Sequence, residues 1–232
     1  SKKSNLNSNF TYLAAFVLPV IMMMALYYTR GIFPWGNECY LRSDMYHQYA
    51  PFFSELWHKI RNGESLTYSW NIGMGTNFTS LFAYYLASPS NWFVALFPQK
   101  YTIEIMNAFI ILKIAGSSLS LTYYLTKHNN NKHVIAAIFG MFYGMSGFIA
   151  AYSWNIMWLD CVILIPLIML GLERLVNENR CIFYCITLGL CIFTNYYIAI
   201  MVCLSVVIYY VVLMIAYNGI KSPMQYVKKF IN

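Results

Sequence analysis

CIFYCITLGLCIFTNYYIAIMVCLSVVIYYVVLMIAYNGI, residues 181–220, contains no charged side chain. As a single helix, at 1.5 Å per residue, it would be roughly 60 Å long, about twice the hydrocarbon thickness of a bilayer. The stretch therefore has to cross a membrane twice. Its polar and aromatic interruption, Thr194-Asn195-Tyr196-Tyr197, is the natural turning point, because such residues suit the membrane interface.

Outward from this hairpin, apolar runs of spanning length recur. They predict helices over about 10–28, 102–125, 134–152, 156–176, 181–194 and 197–217, six spans in all. Pro19 predicts a kink in the first. That run is too long for a secretory signal and lacks a small-residue cleavage site, so it is expected to be retained. Composition agrees, with 59% hydrophobic and only 10% charged residues, where a soluble domain carries about 25% charged. A water-soluble globular fold is excluded, and 19% aromatic content excludes a disordered chain. The expected class is an all-α polytopic membrane protein.

A net charge of +7 raises the question of nucleic acid. The basic residues, however, stand singly or in pairs between apolar runs and do not gather on one face, so no nucleic-acid partner is expected. They record orientation instead. With the N-terminus in the cytoplasm, Lys2, Lys3, Lys127, Lys132, Arg174, Arg180, Lys221, Lys228 and Lys229 all fall inside. The short outer connections, Ser153 to Asn155 and the Asn195 cluster, then carry no Lys or Arg. Arg30, Arg42, Lys59, Arg61 and Lys100 fall in the one long outer loop, 29–101, where the rule carries least weight. Cys181, Cys185, Cys191 and Cys203 lie within apolar runs and form no CxxC, so neither a disulfide framework nor a zinc site is expected.

The long loop exceeds what a connection requires, and such loops are commonly functional. Tyr46, Tyr49, Phe53, Leu56, Trp57 and Ile60 have the spacing of one helix face. His47, Gln48, Glu55, His58, Lys59 and Arg61 fall elsewhere, Ser43 or Asp44 is available as a cap, and Gly63 as a terminator. This pattern predicts an amphipathic helix over 45–62, lying on the outer membrane surface with its aromatic face down. A Gly- and Asn-rich turn over 71–77 follows. The apolar segment 78–97 is interrupted by Ser88-Pro89-Ser90, which predicts a broken pair of short interfacial or re-entrant helices.

The run SDMYHQYAPFFSELWHKIRNGESLTYSWNIGMGTN, residues 43–77, with YYLASPSNW at 84–92, resembles the YfhO family of bacterial membrane proteins. FYGMSGF at 142–148, WNIMWLD at 154–160 and NYY at 195–197 extend the resemblance over nearly the whole chain. It implies that the chain is the N-terminal portion of a longer protein with a GT-C-like glycosyltransferase fold. It also implies an activity, transfer of a sugar from a polyprenyl-phosphate carrier to an acceptor on the outer face of the cell membrane. The expected acceptor is lipoteichoic or wall teichoic acid, and membrane lipid is an expected partner.

GT-C enzymes place an acidic residue in the first outer loop and often another in the second, which the resemblance carries onto Asp44 and Asp160. The physical case is that glycosyl transfer to a hydroxyl needs a base to take the acceptor proton. Asp44 could instead only cap the following helix, and Asp160 could be a helix-end carboxylate reaching water. Together they could hold a divalent cation, though no other cofactor is expected and metal dependence stays open. Glu38 is a third acidic candidate. Lys113, near the middle of the second span, must face the bundle interior, where it would meet the carrier phosphate or an acidic partner, or snorkel to a polar neighbour. His47 and His58 are candidates for the phosphate, and Trp158, Asn195 and Tyr196 for substrate contact. Tyr46, Tyr49, Trp57, Trp70, Tyr84, Tyr85 and Trp92 could stack on sugar or isoprenoid, or form an interfacial belt. The competing class is a non-enzymatic lipid-carrier flippase, transporter or envelope-assembly subunit. Lys113 and Asp160 would then line the substrate path, but no inverted repeat is found.

The orientation has a direct test. Single cysteines near Asn62 or Asn155, in a cysteine-free background, should react with an impermeant thiol reagent in intact cells, and one near Asn130 should not. Labelling at Asn130 with Asn62 silent would reverse the topology.

Overall fold

The computed structural model describes residues 2–130 and 134–218. Lys132, Lys221, Lys228 and Lys229, used above to read orientation, lie outside the described residues, as do the side chains of Lys2 and Lys3. The chain forms α1 (Lys2–Thr29), then a loop region containing α2 (Ala50–Asn62) and the short α3 (Phe78–Leu81). The bundle continues with α4 (Thr102–His128), α5 (Val134–Gly144), α6 (Gly147–Tyr152), α7 (Ile156–Glu178), α8 (Ile182–Thr194) and α9 (Tyr196–Asn218).

Among the described residues, five stretches are long and apolar enough to cross a bilayer: Asn9–Thr29, Gln99–His128, Val134–Tyr152, Ile156–Glu178 and Tyr196–Ala216. The expected turn of the 181–220 run at Asn195 is present. Asn195 leaves helical geometry (φ −160°, ψ 103°), and its Oδ1 accepts the Ile198 N–H at 2.9 Å, capping α9. The sixth expected span, 181–194, is α8, an apolar helix shorter than the other five. With 13 residues, α8 reaches only about 20 Å, short of a hydrocarbon core of about 30 Å. A second difference lies in 134–152, which divides into α5 and α6. Gly144, Ser146 and Gly147 at the junction are weak helix formers.

The bundle is organised around α4, whose apolar stretch is the most buried of the five. It packs against α1, α5 and α7. In lipid there is little hydrophobic drive between helices, so close approach of small residues has to supply the packing. Ser118 and Thr122 on α4 are buried opposite Gly140 and Gly144 of α5. A Cβ at Gly140 would overlap Thr122 Oγ1, and one at Gly144 would lie 2.8 Å from the Ile114 carbonyl. By contrast α9 buries little of itself and exposes Leu204 (64%) and Ile208 (67%), surfaces that suit lipid and not water.

The loop between α1 and α4 is built onto one end of this bundle. A π-helical turn, Met45–Tyr49, runs into α2, which ends at Gly63 in the left-handed region (φ 64°), the expected terminator. The break at Ser88 is also as expected: a π-helical turn, Phe82–Leu86, stops before it and a 3-10 helix, Pro89–Leu96, starts after it. The expectation that α2 rests on the membrane is corrected. Phe53 and Leu56 are fully buried in one core with Met106, Ile110 and Ile156, while Tyr46 is exposed. The apolar face of α2 is therefore covered by α4 and the 3-10 helix.

Glu55 and Lys59, expected on the polar face, are buried as well, and a local network accounts for it. Glu55 accepts Ser69 Oγ at 2.6 Å and Asn71 Nδ2 at 3.0 Å, and lies 3.6 Å from Lys59 Nζ. Lys59 also donates to the carbonyls of Ser65 (3.0 Å) and Tyr68 (2.9 Å). The pair thus holds the hairpin of Tyr68–Ser69 and Thr76–Asn77 against α2. Burial pushes the Glu55 carboxyl up, but the bonds from Ser69 and Asn71, then the charge of Lys59, outweigh it and leave it below the ordinary carboxylate range. A depressed folded value stabilises the loop above the ordinary carboxylate range and loses that contribution as pH falls through it. Hydrogen exchange over 65–77 should accelerate on acidification below the ordinary carboxylate range. Glu55→Ala should show the fast exchange already at neutral pH, with a loss of about 1–3 kcal/mol of local stability. Exchange insensitive to both changes would remove the clamp.

Candidate functional site

Lys113 sits on the buried face of α4, where an ammonium without a partner is costly. The first turns of α7 supply the partner: Lys113 Nζ lies 2.6 Å from Asp160 Oδ2 and donates to the Ile156 carbonyl at 3.3 Å. Side-chain exposures of 5% and 14% make this a largely buried pair. Two residues selected separately in the sequence are thus in direct contact. Snorkelling is excluded for Lys113, and Asp160 is not a carboxylate merely reaching water.

Towards the loop end, α7 begins after Asn155, whose Oδ1 accepts the Tyr49 hydroxyl at 3.0 Å. Tyr49 stacks on Trp154 (ring centroids 6.3 Å apart) and packs on Tyr85 at 5.4 Å. Tyr85 meets Tyr84, which meets Tyr196 and Tyr197, and Tyr197 stacks on Trp158 at 6.2 Å. The loop, the start of α7 and the start of α9 are therefore joined by a continuous aromatic surface. Within it, Asn155 Nδ2 and Trp158 Nε1 are buried without a hydrogen-bond partner, the kind of unmet donor that marks a place for a polar ligand or water.

Asp44 lies beside this surface, half-buried and close enough to Tyr49 and Tyr85 to act on both electrostatically. Burial first, then the negative charge of Asp44, raises the Tyr49 phenol above the ordinary tyrosine range, and burial, then Tyr84, then Asp44 raise that of Tyr85, so both remain protonated donors. The carboxylate itself makes no hydrogen bond or ion pair among the described residues. It also does not cap the π-helical turn that follows, which corrects its expected capping role. Ser43, immediately before it, is in the left-handed region (φ 47°), uncommon for a residue with a side chain and held by two turn bonds to its carbonyl from Tyr46 (3.1 Å) and His47 (3.4 Å).

The matching family is described as bacterial membrane protein YfhO, and its model covers residues 14–232. The chain belongs to the YfhO family. No curated protein and no solved structure matches it. The chain is accordingly a multi-pass membrane protein of a bacterial family.

Other candidates separate in this YfhO-family chain. Asn195 is fully buried, donating to the Tyr84 carbonyl at 3.1 Å while capping α9, so it anchors the aromatic surface. Tyr196 is half-exposed at its edge. His47 is exposed, its ring edge-on to Tyr46. His58 faces Glu64 at 3.4 Å, in a separate recess with Glu55 and Asn71, and Glu38 is exposed without a side-chain partner among the described residues. Among the aromatic candidates, Trp57 is tied to the Phe97 carbonyl and Trp70 is exposed. No cluster of three or more His, Cys, Asp or Glu side chains suited to a metal occurs among the described residues. Because Asp160 is also occupied by Lys113, Asp44 and Asp160 do not fit a shared cation site.

The sequence reading missed Asn155, and it missed a second polar cluster at the far end of the bundle. There buried Glu173 accepts Tyr124 (2.8 Å) and Tyr209 and contacts His128 Nδ1 (2.9 Å), joining α4, α7 and α9. A carboxylate and a histidine 45 positions apart give no local signal.

For the buried pair, Lys113→Met alone should cost about 3–5 kcal/mol, since it strands a carboxylate. Lys113→Met with Asp160→Leu should recover most of that loss. The check is reversible unfolding of the purified protein in detergent, and losses that simply add would show the pair is not coupled.

Proposed function

We propose that the chain is the catalytic end of a GT-C type glycosyltransferase. It takes a sugar from a polyprenyl-phosphate carrier and attaches it to a hydroxyl of an envelope polymer, lipoteichoic or wall teichoic acid, on the outer face of the membrane. The observation that carries this reading is the Asp44 carboxylate, unpaired and half-buried beside a wall of protonated tyrosines. Aromatic faces suit sugar rings, and an unquenched carboxylate suits proton removal. The acceptor oxygen attacks the anomeric carbon and Asp44 takes its proton. The bond from the anomeric carbon to the phosphate oxygen breaks, and the carrier phosphate leaves with the electron pair. One displacement inverts the anomeric configuration. Lys113 and Asp160 hold the start of α7, and so Asn155 and Tyr49, in place for this step. The N-terminus is then cytoplasmic, consistent with the distribution of Lys and Arg.

A second reading is a flippase for the lipid carrier. The ion pair inside the bundle and the broken helix α5–α6 favour it, since transporters use both features.

Asp44→Asn separates the two. With no cap to lose, the variant should fold normally. Transfer of labelled sugar from a polyprenyl-phosphate donor by the purified full-length protein should fall by roughly 100-fold or more. Near-normal transfer would remove Asp44 as the base. No transfer by the unmodified protein, with carrier translocation in vesicles, would favour the flippase.

A further inference from the structure

A cleft of about 230 Å³ lies at the loop end of the bundle, between α1, α4 and the α5–α6 break. Its walls include Met23, Leu26, Ile114 and Ile149, and two cationic residues, Arg30 and Arg42, both exposed to solvent, line it as well. Arg30 stands just past the end of α1, and Met23 is seven residues back, about 10 Å deeper along the helix. The cleft is thus cationic at the helix end and apolar below. Leu26 is 49% exposed on the outside of α1, so the apolar part reaches the surface that faces lipid.

Three polar side chains of its lining form no hydrogen bond or ion pair among the described residues, and for one of them, Tyr27, solvent does not account for it. Neither Arg30 nor Arg42 forms an ion pair among the described residues. Tyr27, only 2% exposed and lining the same cleft, has a buried hydroxyl without a hydrogen-bond partner. Its ring is fixed by stacking on Tyr40 at 5.5 Å, and Tyr40 is fixed in turn by a 2.6 Å bond to Ser153. A buried hydroxyl left unmet in native protein calls for a missing partner.

We propose that this cleft binds the phosphate end of a membrane amphiphile. Arg30 and Arg42 hold the phosphate, Tyr27 donates a hydrogen bond to it, and the chain lies along Met23, Leu26, Ile114 and Ile149. Guanidinium forks match phosphate oxygens in geometry and charge. The chemistry is shared by an isoprenyl phosphate and by an anionic glycerolipid. If the transferase reading above holds, the occupant is the sugar carrier and the cleft names the leaving-group site beside Asp44.

The test is saturable binding of radiolabelled farnesyl phosphate to the purified full-length protein in detergent. Arg30→Ala and Arg42→Ala should each weaken binding by about 10-fold or more, as loss of a charge-assisted bond implies, and the double variant should abolish it. Tyr27→Phe should weaken it several-fold. Ala150→Trp, which fills the cleft from an exposed position, should block binding without touching either arginine. Lys127→Ala, at the other end of α4, should have no effect. Farnesol should not compete, because it lacks the phosphate. Competition by phosphatidylglycerol at equal concentration would assign the site to a glycerolipid headgroup, and its failure to compete would assign it to an isoprenyl phosphate. Full binding by both the Arg30/Arg42 double variant and Ala150→Trp would overturn the proposal. Sugar transfer is measured in parallel. Arginine-dependent binding without any transfer removes the transferase reading and leaves the cleft. Loss of transfer in Asp44→Asn, with transfer and binding intact in the double variant, does the reverse.

Discussion

The ammonium of Lys113 is the constraint around which this bundle is arranged. An ionised group carried into the middle of a spanning helix must find a counter-charge or a wet cavity, and insertion scales put the cost of leaving it in lipid at about 2.5–3.5 kcal/mol. Asp160 meets it at 2.6 Å and the Ile156 carbonyl at 3.3 Å, so the first turns of α7 are drawn against α4. Asn155 then stands at the loop end of α7, where Tyr49 reaches it, and Tyr49 brings the loop with it. The ion pair adds little net stability over a well-packed apolar pair. What it supplies is register between α4 and α7, and through Asn155, between the bundle and the loop.

The spanning helices were legible because each is written locally. An uncharged run of sufficient length can only be a crossing, and a break such as Asn195 announces itself by polarity. The helix α8 lies where the apolar run predicts it, but apolar character fixes that a segment avoids water and not how thick a layer it crosses. The run 134–152 reads as one span, which it is, and the break inside it goes unseen for a related reason: Gly144, Ser146 and Gly147 weaken a helix without forbidding one, and packing around the α5–α6 junction decides.

The loop was legible in outline and misread in its surroundings. The 3.6-residue pattern of α2 is real, but a pattern shows that a face is covered, without showing whether lipid or protein covers it. Phe53 and Leu56 turned out to face α4 and not a bilayer. Glu55 and Lys59 were placed on the polar side by type, whereas their partners Ser69, Asn71 and the Tyr68 carbonyl sit on a hairpin that no local rule folds back onto α2. The candidate site shows the same limit. Lys113 and Asp160 stood out as charges in apolar runs. Asn155, Arg30 and Arg42 did not, since an asparagine in a turn and an arginine at a helix end are ordinary until their surroundings are known.

Ser43 ties the two halves of the functional reading together. Its left-handed backbone costs of order 1–3 kcal/mol and persists only where neighbouring contacts hold it, as the Tyr46 and His47 amides do here. The kink lets Arg42 line the cleft beside α1 while Asp44, two positions on, lies against Tyr49 and Tyr85. Two residues span at most about 7 Å of chain. The two residues are thus neighbours along the chain, and on the proposed reading Arg42 holds the phosphate while Asp44 approaches the acceptor hydroxyl. Direct displacement places the leaving group on one face of the anomeric carbon and the activated acceptor on the other. In a regular strand, residues 42 and 44 would share one face. The kink differs in sending them to different surfaces, one lipid-accessible and one aromatic, which is how a chain would meet a substrate that is half lipid and half sugar.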